Sequence, residues 1–344
     1  MKIISKILVS GLLALLIWEL ILQNTIISTT GYSNHPVMGK ILNEGTYLQG
    51  SEGFSRTKIF PNGVVGKPVP SDMNERYRIL VLGDSFTEGV QVSDQDKYSN
   101  LTELILKEKG FSEVITINLG RSYASPAHYL HLANYYNNEY KPNYVVVEIN
   151  DGDFSEMLSG DANFFVKKNG DGFKTFQNTH FASNNEIAQK LKNLYFLLNY
   201  STVRIGADKL QKFITSTSSK TQDTQEIRTN SKEPSHYDES LIAWTMETLK
   251  KNYNNVLVIY IPTLNYQYLN EPPSIFEEKV QLYGEKVGVN VINMRETFVN
   301  NDNNRKWPSY GFYNTKPGVG HINEIGHKLI ALKLVSFFEG RILK

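Results

Sequence analysis

The 344-residue sequence contains no cysteine. That excludes disulfides, thiolate metal centres and a cysteine nucleophile, and it leaves the redox compartment open. Neither charge is in excess, with 36 Lys and Arg against 35 Asp and Glu. A basic face that tracks nucleic acid is therefore not indicated, and no nucleic-acid partner is expected. His35, His180 and His236 stand alone, and no metal-ligand spacing surrounds them. After Asp84, the second carboxylate that an aspartate-nucleophile phosphatase usually carries two residues on is replaced by Phe86.

What the chain does have is aromatic side chains, 20 Tyr and 17 Phe, which suit a sugar-facing surface or a well-filled core equally. Its length allows one sizeable core, or one core plus a smaller cap. Lys2 and Lys6 precede a run that is apolar from Ile7 to Leu22 apart from Ser10, Gly11 and Glu19. Counted from Ile3 to Ile27, the run reaches across a hydrocarbon core of about 30 Å at about 1.5 Å per residue. The basic residues ahead of it favour a cytoplasmic amino end, with the rest of the chain outside. Glu19 lies beside Trp18 near the outer end, where an interfacial position lowers the cost of its charge. A cleaved signal peptide is the rival reading, but no small-x-small cleavage site follows the run.

Residues 30–75 are rich in Gly, Pro, Ser and Asn and read as a tether and lead-in to the main domain. From residue 76 the pattern becomes regular. Ile79-Leu80-Val81-Leu82 reads as a buried parallel strand, followed by Gly83-Asp84-Ser85. A helix is expected over Asp96–Lys109, a strand over Val114–Asn118, a helix from Ser125-Pro126 to about Tyr140, and a strand over Tyr144–Ile149. Residues 154–238 are too long for an ordinary loop and read as a cap. That cap has a hairpin over Asp161–Thr179, a helical stripe over Asn185–Ile214 and a polar stretch over Thr215–Ser235. Then follow a helix over Ser240–Tyr253, a strand over Asn255–Pro262, a helix over Pro273–Gly288 and a last strand over Val289–Asn293. A long loop to Gly320 leads into a final helix. This alternation predicts a doubly wound, flavodoxin-like parallel sheet of five strands. Ser85 then falls at the carboxyl rim of the sheet, where ligands bind in such folds. There it is either a nucleophile or a plain helix cap.

Three successive strands end in Gly-Asp-Ser, Asn-Leu-Gly and an Asn/Asp cluster, and a His-x-Asn-x-x-Gly-His segment precedes the last helix. In these blocks the chain resembles the SGNH (GDSL-type) hydrolase superfamily, over roughly residues 78–338. The resemblance implies Ser85 as nucleophile and His321 as general base. It also implies an oxyanion hole built from the amides of Ser85 and Gly120 and the side chain of Asn150. No metal or organic cofactor is implied. Preset donors of this kind are worth about 3 kcal/mol each. His327, two turns into the helix, is expected to pack or bond structurally.

Two departures accompany the resemblance. In the family register the oxyanion asparagine would fall at Gly152, so either the loop is remodelled to bring Asn150 in or this donor is missing. The family's orienting aspartate would fall at Gly318, and loss of that acid costs about 10⁴ in rate in well-studied triads. A backbone carbonyl or Asp302 is left to hold the ring. The expectation is a membrane-anchored extracytoplasmic serine esterase or deacylase. Its divisions are an anchor over residues 1–29, the lead-in over 30–75 and the hydrolase-like domain over 76–340. Its expected partners are the membrane and an O-acylated envelope glycan or lipid substrate. An O-acyltransferase and a non-catalytic glycan-binding or assembly protein are the alternatives.

Overall fold

The structure, a computed structural model, describes residues 2–25, 32–50, 52–160, 162–170, 172–178, 239–263, 272–304 and 307–342. The amino-terminal apolar run is helix α1 (Lys2–Thr25). Its large apolar side chains from Ile4 to Trp18 are 47–68% exposed. Among the described residues no helix is long and apolar enough to cross a membrane, the described side chains of α1 being those of residues 4–18.

The lead-in is built rather than loose. Strands β1 (Tyr32–His35) and β2 (Gly39–Leu42) form one antiparallel pair. Strands β3 (Gly45–Gln49), β4 (Ser55–Phe60) and β5 (Val64–Val65) form a small antiparallel sheet. Alternate residues of β4 (Ser55, Thr57 and Ile59) are buried, as a one-sided strand requires.

The main sheet consists of β6 (Tyr77–Leu82), β7 (Val114–Asn118), β8 (Tyr144–Asn150), and two later strands, β11 (Val256–Ile261) and β12 (Asn290–Asn293). All pairings are parallel, in the order β12-β11-β8-β6-β7. This is the flavodoxin-like order, in which the connection direction reverses between the first and third strands and opens a crevice at their carboxyl ends. Ser85 follows the first of them and Asn150 ends the third, so both stand at that reversal.

The sheet is covered on both faces, which explains why its strands read as nearly continuous apolar runs. Leu80, Leu82, Val145, Val147 and Val258 share one core with helices α4 (Pro126–His131), α5 (Ala133–Tyr140), α7 (Glu239–Asn252) and α8 (Ile275–Val287). Ile79, Val81, Val146, Leu257 and Ile259 share the other with α3 (Tyr98–Glu108), α9 (Arg295–Asn304) and α10 (Glu324–Ile342). Single-turn helices α2 (Ser85–Glu88) and α6 (Asp153–Met157) follow β6 and β8.

Three sequence expectations need correction or completion. The helix expected from Pro126 to Tyr140 is broken at Leu132, whose ψ of 7° leaves the helical range. The stretch expected as loop after Asn293 contains α9, started by the Asn293 side chain accepting from Arg295 N at 2.9 Å and pinned by buried Phe298. Its Asn-rich sequence has poor helix propensity, which hid it. The expected hairpin of the insertion is present as β9 (Phe164–Asn169) and β10 (Gly172–Gln177), which bury Phe164, Val166 and Phe173 in the first core. The helical stripe and polar stretch expected over 185–235, with His180 and His236, lie outside the described residues.

Candidate active site

Ser85 is the first residue of α2 because the residues around it leave no other conformation. Asp84 caps the turn, its Oδ1 accepting from Phe86 N at 2.7 Å. Gly89 ends the turn in the left-handed region at φ 57°. A side chain at Gly83 would collide with Thr87. The Ser85 hydroxyl lies 2.9 Å from His321 Nε2. The imidazole is held in turn by Glu52: Nδ1 is 2.6 Å from Oε2, and the other oxygen accepts from the His321 backbone N–H at 2.7 Å. The structure thus brings together an early hydroxyl, a late imidazole and an acid from the lead-in.

Glu52 is the residue that sequence reasoning missed. It lies 269 positions before His321, outside the blocks that carried the resemblance. Of the two substitutes considered, Asp302 is used elsewhere, accepting from Ser309 N and Oγ at 2.8 Å each. The backbone carbonyl is displaced by Glu52, which takes the Nδ1 position. Gly318, where an aspartate was expected, is a turn residue with φ 79°. The available signal was weak: one carboxylate between Gly50 and Gly53 in a glycine-rich lead-in. Its turn is clamped from the His321 side of the molecule. Asn314 accepts from Gly53 N at 2.8 Å and donates to Gly50 O and Gly53 O at 3.0 and 3.2 Å. Partial burial pushes the Glu52 carboxyl up, but the ring and backbone N–H of His321 outweigh it and hold the group below its ordinary value.

Of the three expected oxyanion donors, two are engaged by other partners. The Ser85 amide has no acceptor among the described residues. The Gly120 amide donates to Asn118 Oδ1 at 2.8 Å. Gly120 has a steric role here, since a Cβ at this position would press into the backbone of Thr87 and Glu88. The loop after Gly120 is tied to the same helix, because Glu88 Oε2 accepts from Ser122 N at 3.1 Å and from the Ser122 hydroxyl. Gly120→Ala is expected to cost about 1–3 kcal/mol of stability, as overpacking does, read from denaturant unfolding. An unchanged midpoint would remove the steric role.

The Asn150 side chain donates to Asp84 Oδ2 at 3.1 Å and to Glu148 Oε1 at 3.3 Å, and accepts from Gly152 N at 2.9 Å. It is therefore a bridge between two carboxyl groups beneath the nucleophile turn. Glu148 and Asp153 are fully buried and Asp84 half-buried, with no salt bridge to any of them among the described residues. Burial first, then the Glu148 charge, pushes Asp84 well above its ordinary value. Burial and the neighbouring Asp153 push Glu148 up to about 7. Burial and the neighbouring Asp84 raise Asp153 well above its ordinary value.

His327 lies in the packed interior. Its Nδ1 accepts from Tyr98 N at 3.2 Å, and its ring stacks on Tyr98 with centroids 5.7 Å apart. Burial, then Lys97 and His321, keep it well below the ordinary histidine value, so it stays neutral. Lys97 is fully buried and pushed down to about 8 by that burial. It donates to Thr57 Oγ1 and Val92 O at 3.0 Å each and to Gly89 O. One lysine thereby joins strand β4 of the lead-in to the end of the nucleophile turn. Among the described residues no cluster of three or more His, Asp or Glu is placed to hold a metal ion.

No family model matches the sequence, and no curated protein matches it. Similar solved structures include a lipase/acylhydrolase from Enterococcus faecalis, at 13% identity and a TM-score of 0.40, over 77% of this chain and 96% of that one. An acetyl xylan esterase, AlAXEase, is 16% identical with a TM-score of 0.40, over 76% of this chain and 98% of that one. A psychrotrophic esterase, EstA, from Pseudoalteromonas sp. is 10% identical with a TM-score of 0.39, over 78% of this chain and 100% of that one. Likenesses of this depth bear on no step of the chemistry.

Proposed function

We propose that the chain is a serine hydrolase of ester bonds, with Ser85 as nucleophile, His321 as general base and acid, and Glu52 as the group that orients the imidazole. The observation that carries this is the continuous contact from Glu52 through His321 to Ser85, at 2.6 and 2.9 Å. A nucleophile within hydrogen-bond reach of a base, itself oriented by a third group, is the arrangement that acyl transfer through serine requires.

The chemistry follows from these atoms. With Glu52 accepting the Nδ1 proton, Nε2 is left with a lone pair facing the Ser85 hydroxyl. Ser85 Oγ attacks the ester carbonyl carbon and its proton passes to Nε2. Charge develops on the carbonyl oxygen, for which the Ser85 amide is a donor. The imidazolium so formed lies against the Glu52 carboxylate. On collapse, Nε2 returns the proton to the leaving alcohol, and the acyl group stays on Ser85. Water attacks the acyl carbon while Nε2 takes its proton, and the acid leaves as Oγ regains a proton.

The substrate we infer is an O-acyl group on an envelope glycan or lipid, met by a domain held at the membrane on its outer side. The apolar run from Ile7 to Leu22 behind Lys2 and Lys6, with its described side chains exposed, supports the anchor. The non-catalytic alternative rested on the missing acid before His321 and on the shifted asparagine; Glu52 sits in the acid's place, while Asn150 is held by Asp84 and Glu148.

The test is labelling with a fluorophosphonate probe. The wild-type protein is expected to label at one serine, and Ser85→Ala is expected to lose the label entirely. A wild-type protein that stays unlabelled beside a reactive control esterase removes the proposal, and equal labelling of Ser85→Ala removes the assignment. Acetate release from acetylated glycans, with and without an added acceptor sugar, separates hydrolysis from acyl transfer.

A further inference from the structure

Beneath Ser85 lies a group of carboxyls for which the acyl-transfer steps have no use. Glu148 ends its side chain at the nucleophile turn: Oε2 accepts from Asp84 N at 3.0 Å and from the Thr87 hydroxyl at 3.3 Å. Asp84 caps the same turn through Phe86 N. Asn150 Nδ2 spans the two carboxyl groups, 3.1 Å from Asp84 Oδ2 and 3.3 Å from Glu148 Oε1, and the charge of Glu148 bears on Asp84. The backbone N–H groups on either side of the Ser85 amide are thus each held by one of these two side chains.

We infer that Asp84 and Glu148 share a single proton and together position Ser85, and that the site works only while the pair holds that proton. This rests on the reading of Ser85 as nucleophile. Two carboxyls spanned by one amide nitrogen, one of them fully buried and with no cation beside them among the described residues, cannot both carry charge at low cost, so one must be an acid. The groups that face Glu148 do not change this balance. From the turn after β6 come Asp84 and Thr87, from α3 Tyr98, from α4 Tyr129, from β8 Asn150 and from α6 Asp153. None is cationic, and Asp153 adds to the repulsion. One negative charge is compatible with the capped turn. A second would set two negative charges against each other at the turn that carries the Ser85 amide. It would also oppose the oxyanion that forms above that amide.

Glu148 is therefore a positioning residue that acts through Asp84 on Ser85, and its signature is a pH profile. The rate of phosphonylation of Ser85 by a fluorophosphonate is to be followed from about pH 5 to about pH 9. In the wild type the rate is expected to fall about tenfold or more on the alkaline side as the pair loses its proton. Glu148→Gln, which cannot ionise, is expected to stay level there. Asp84→Asn keeps a capping oxygen and serves as the second variant, with the same loss of the alkaline fall. A wild-type rate that never falls, or an alkaline fall that persists in both variants, overturns the inference.

A second measurement does not depend on catalysis. In the Ser85→Ala background, infrared difference spectra between about pH 6 and about pH 9 are expected to show a buried carboxylic acid losing its proton. That signal is expected to vanish in Ser85→Ala/Glu148→Gln. An infrared change without probe labelling leaves the proton-sharing pair standing and removes the nucleophile. Labelling without the infrared change removes the pair and leaves the nucleophile.

Discussion

Glu52→Gln is expected to lower kcat about 10³- to 10⁴-fold, with KM little changed, against an activated ester such as a nitrophenyl acetate. Gln is nearly the same size and keeps one oxygen near His321, so packing is preserved. What changes is the imidazole. The carboxylate accepts from Nδ1 and stabilises the imidazolium that forms as Ser85 attacks. The amide carries no charge, and its NH₂ face can turn toward Nδ1 and favour the tautomer that protonates Nε2. The base would then present a proton, not a lone pair, to the serine. The hydrogen bond from His321 N to Glu52 Oε1 gives the variant a second anchor, so a folded protein is expected. Unchanged thermal unfolding alongside the lost rate identifies the effect as catalytic. Loss of less than about threefold would show that the ring is oriented without Glu52. Glu52→Asp is expected to fall between the two, because the carboxylate is kept but sits one methylene short.

Why Glu52 was invisible in the sequence while Ser85 and His321 were not is a matter of what each position must do locally. Ser85 sits where a strand ends and a one-turn helix begins, so glycine, cap and apolar run all mark it. His321 precedes a helix whose start is set by Asn323, whose Oδ1 accepts from Ile325 N and Gly326 N at 3.0 and 3.2 Å. Glu52 has no such local signature. Its place is set by a tertiary clamp from Asn314 and by close packing of Gly53 against Phe312, contacts that cross more than half the chain.

The sheet was legible for the opposite reason. Strands β7, β8 and β11 are buried along their whole length, and each strand is separated from the next by a recognisable helix, so strand order follows from connection rules. Gly120 and Asn150 show the limit of transferred motifs. Both stand at the right strand ends, yet one amide is taken by Asn118 and the other side chain by two carboxyls. Register in a loop is decided by such partners, and those partners are distant in sequence.

The carboxyl cluster also has a thermodynamic consequence that needs no substrate. Glu148 is raised from 4.5 to about 7 in the folded chain. The folded state then binds more protons than the unfolded state between those values, so stability falls as pH rises across that window. The contribution is fully present below the unfolded value and is lost as pH passes the folded one, an effect of about 3 kcal/mol for this group. His128 and His327 work in the opposite sense. Both are buried and held well below 6.5, so they disfavour the fold at acid pH and cease to do so as pH rises. The net curve of the wild type therefore mixes the two, and the informative quantity is the difference from Glu148→Gln at each pH. That variant keeps an oxygen for Asp84 N but has nothing to ionise. Relative to wild type it is expected to gain about 3 kcal/mol between about pH 4.5 and about pH 8, with the change spread between the unfolded and folded values of Glu148. Urea unfolding at a series of pH values measures it. A difference that stays flat across the window would mean that Glu148 is already ionised at ordinary carboxylate pH, and that its environment holds a charge the geometry gives no means to neutralise.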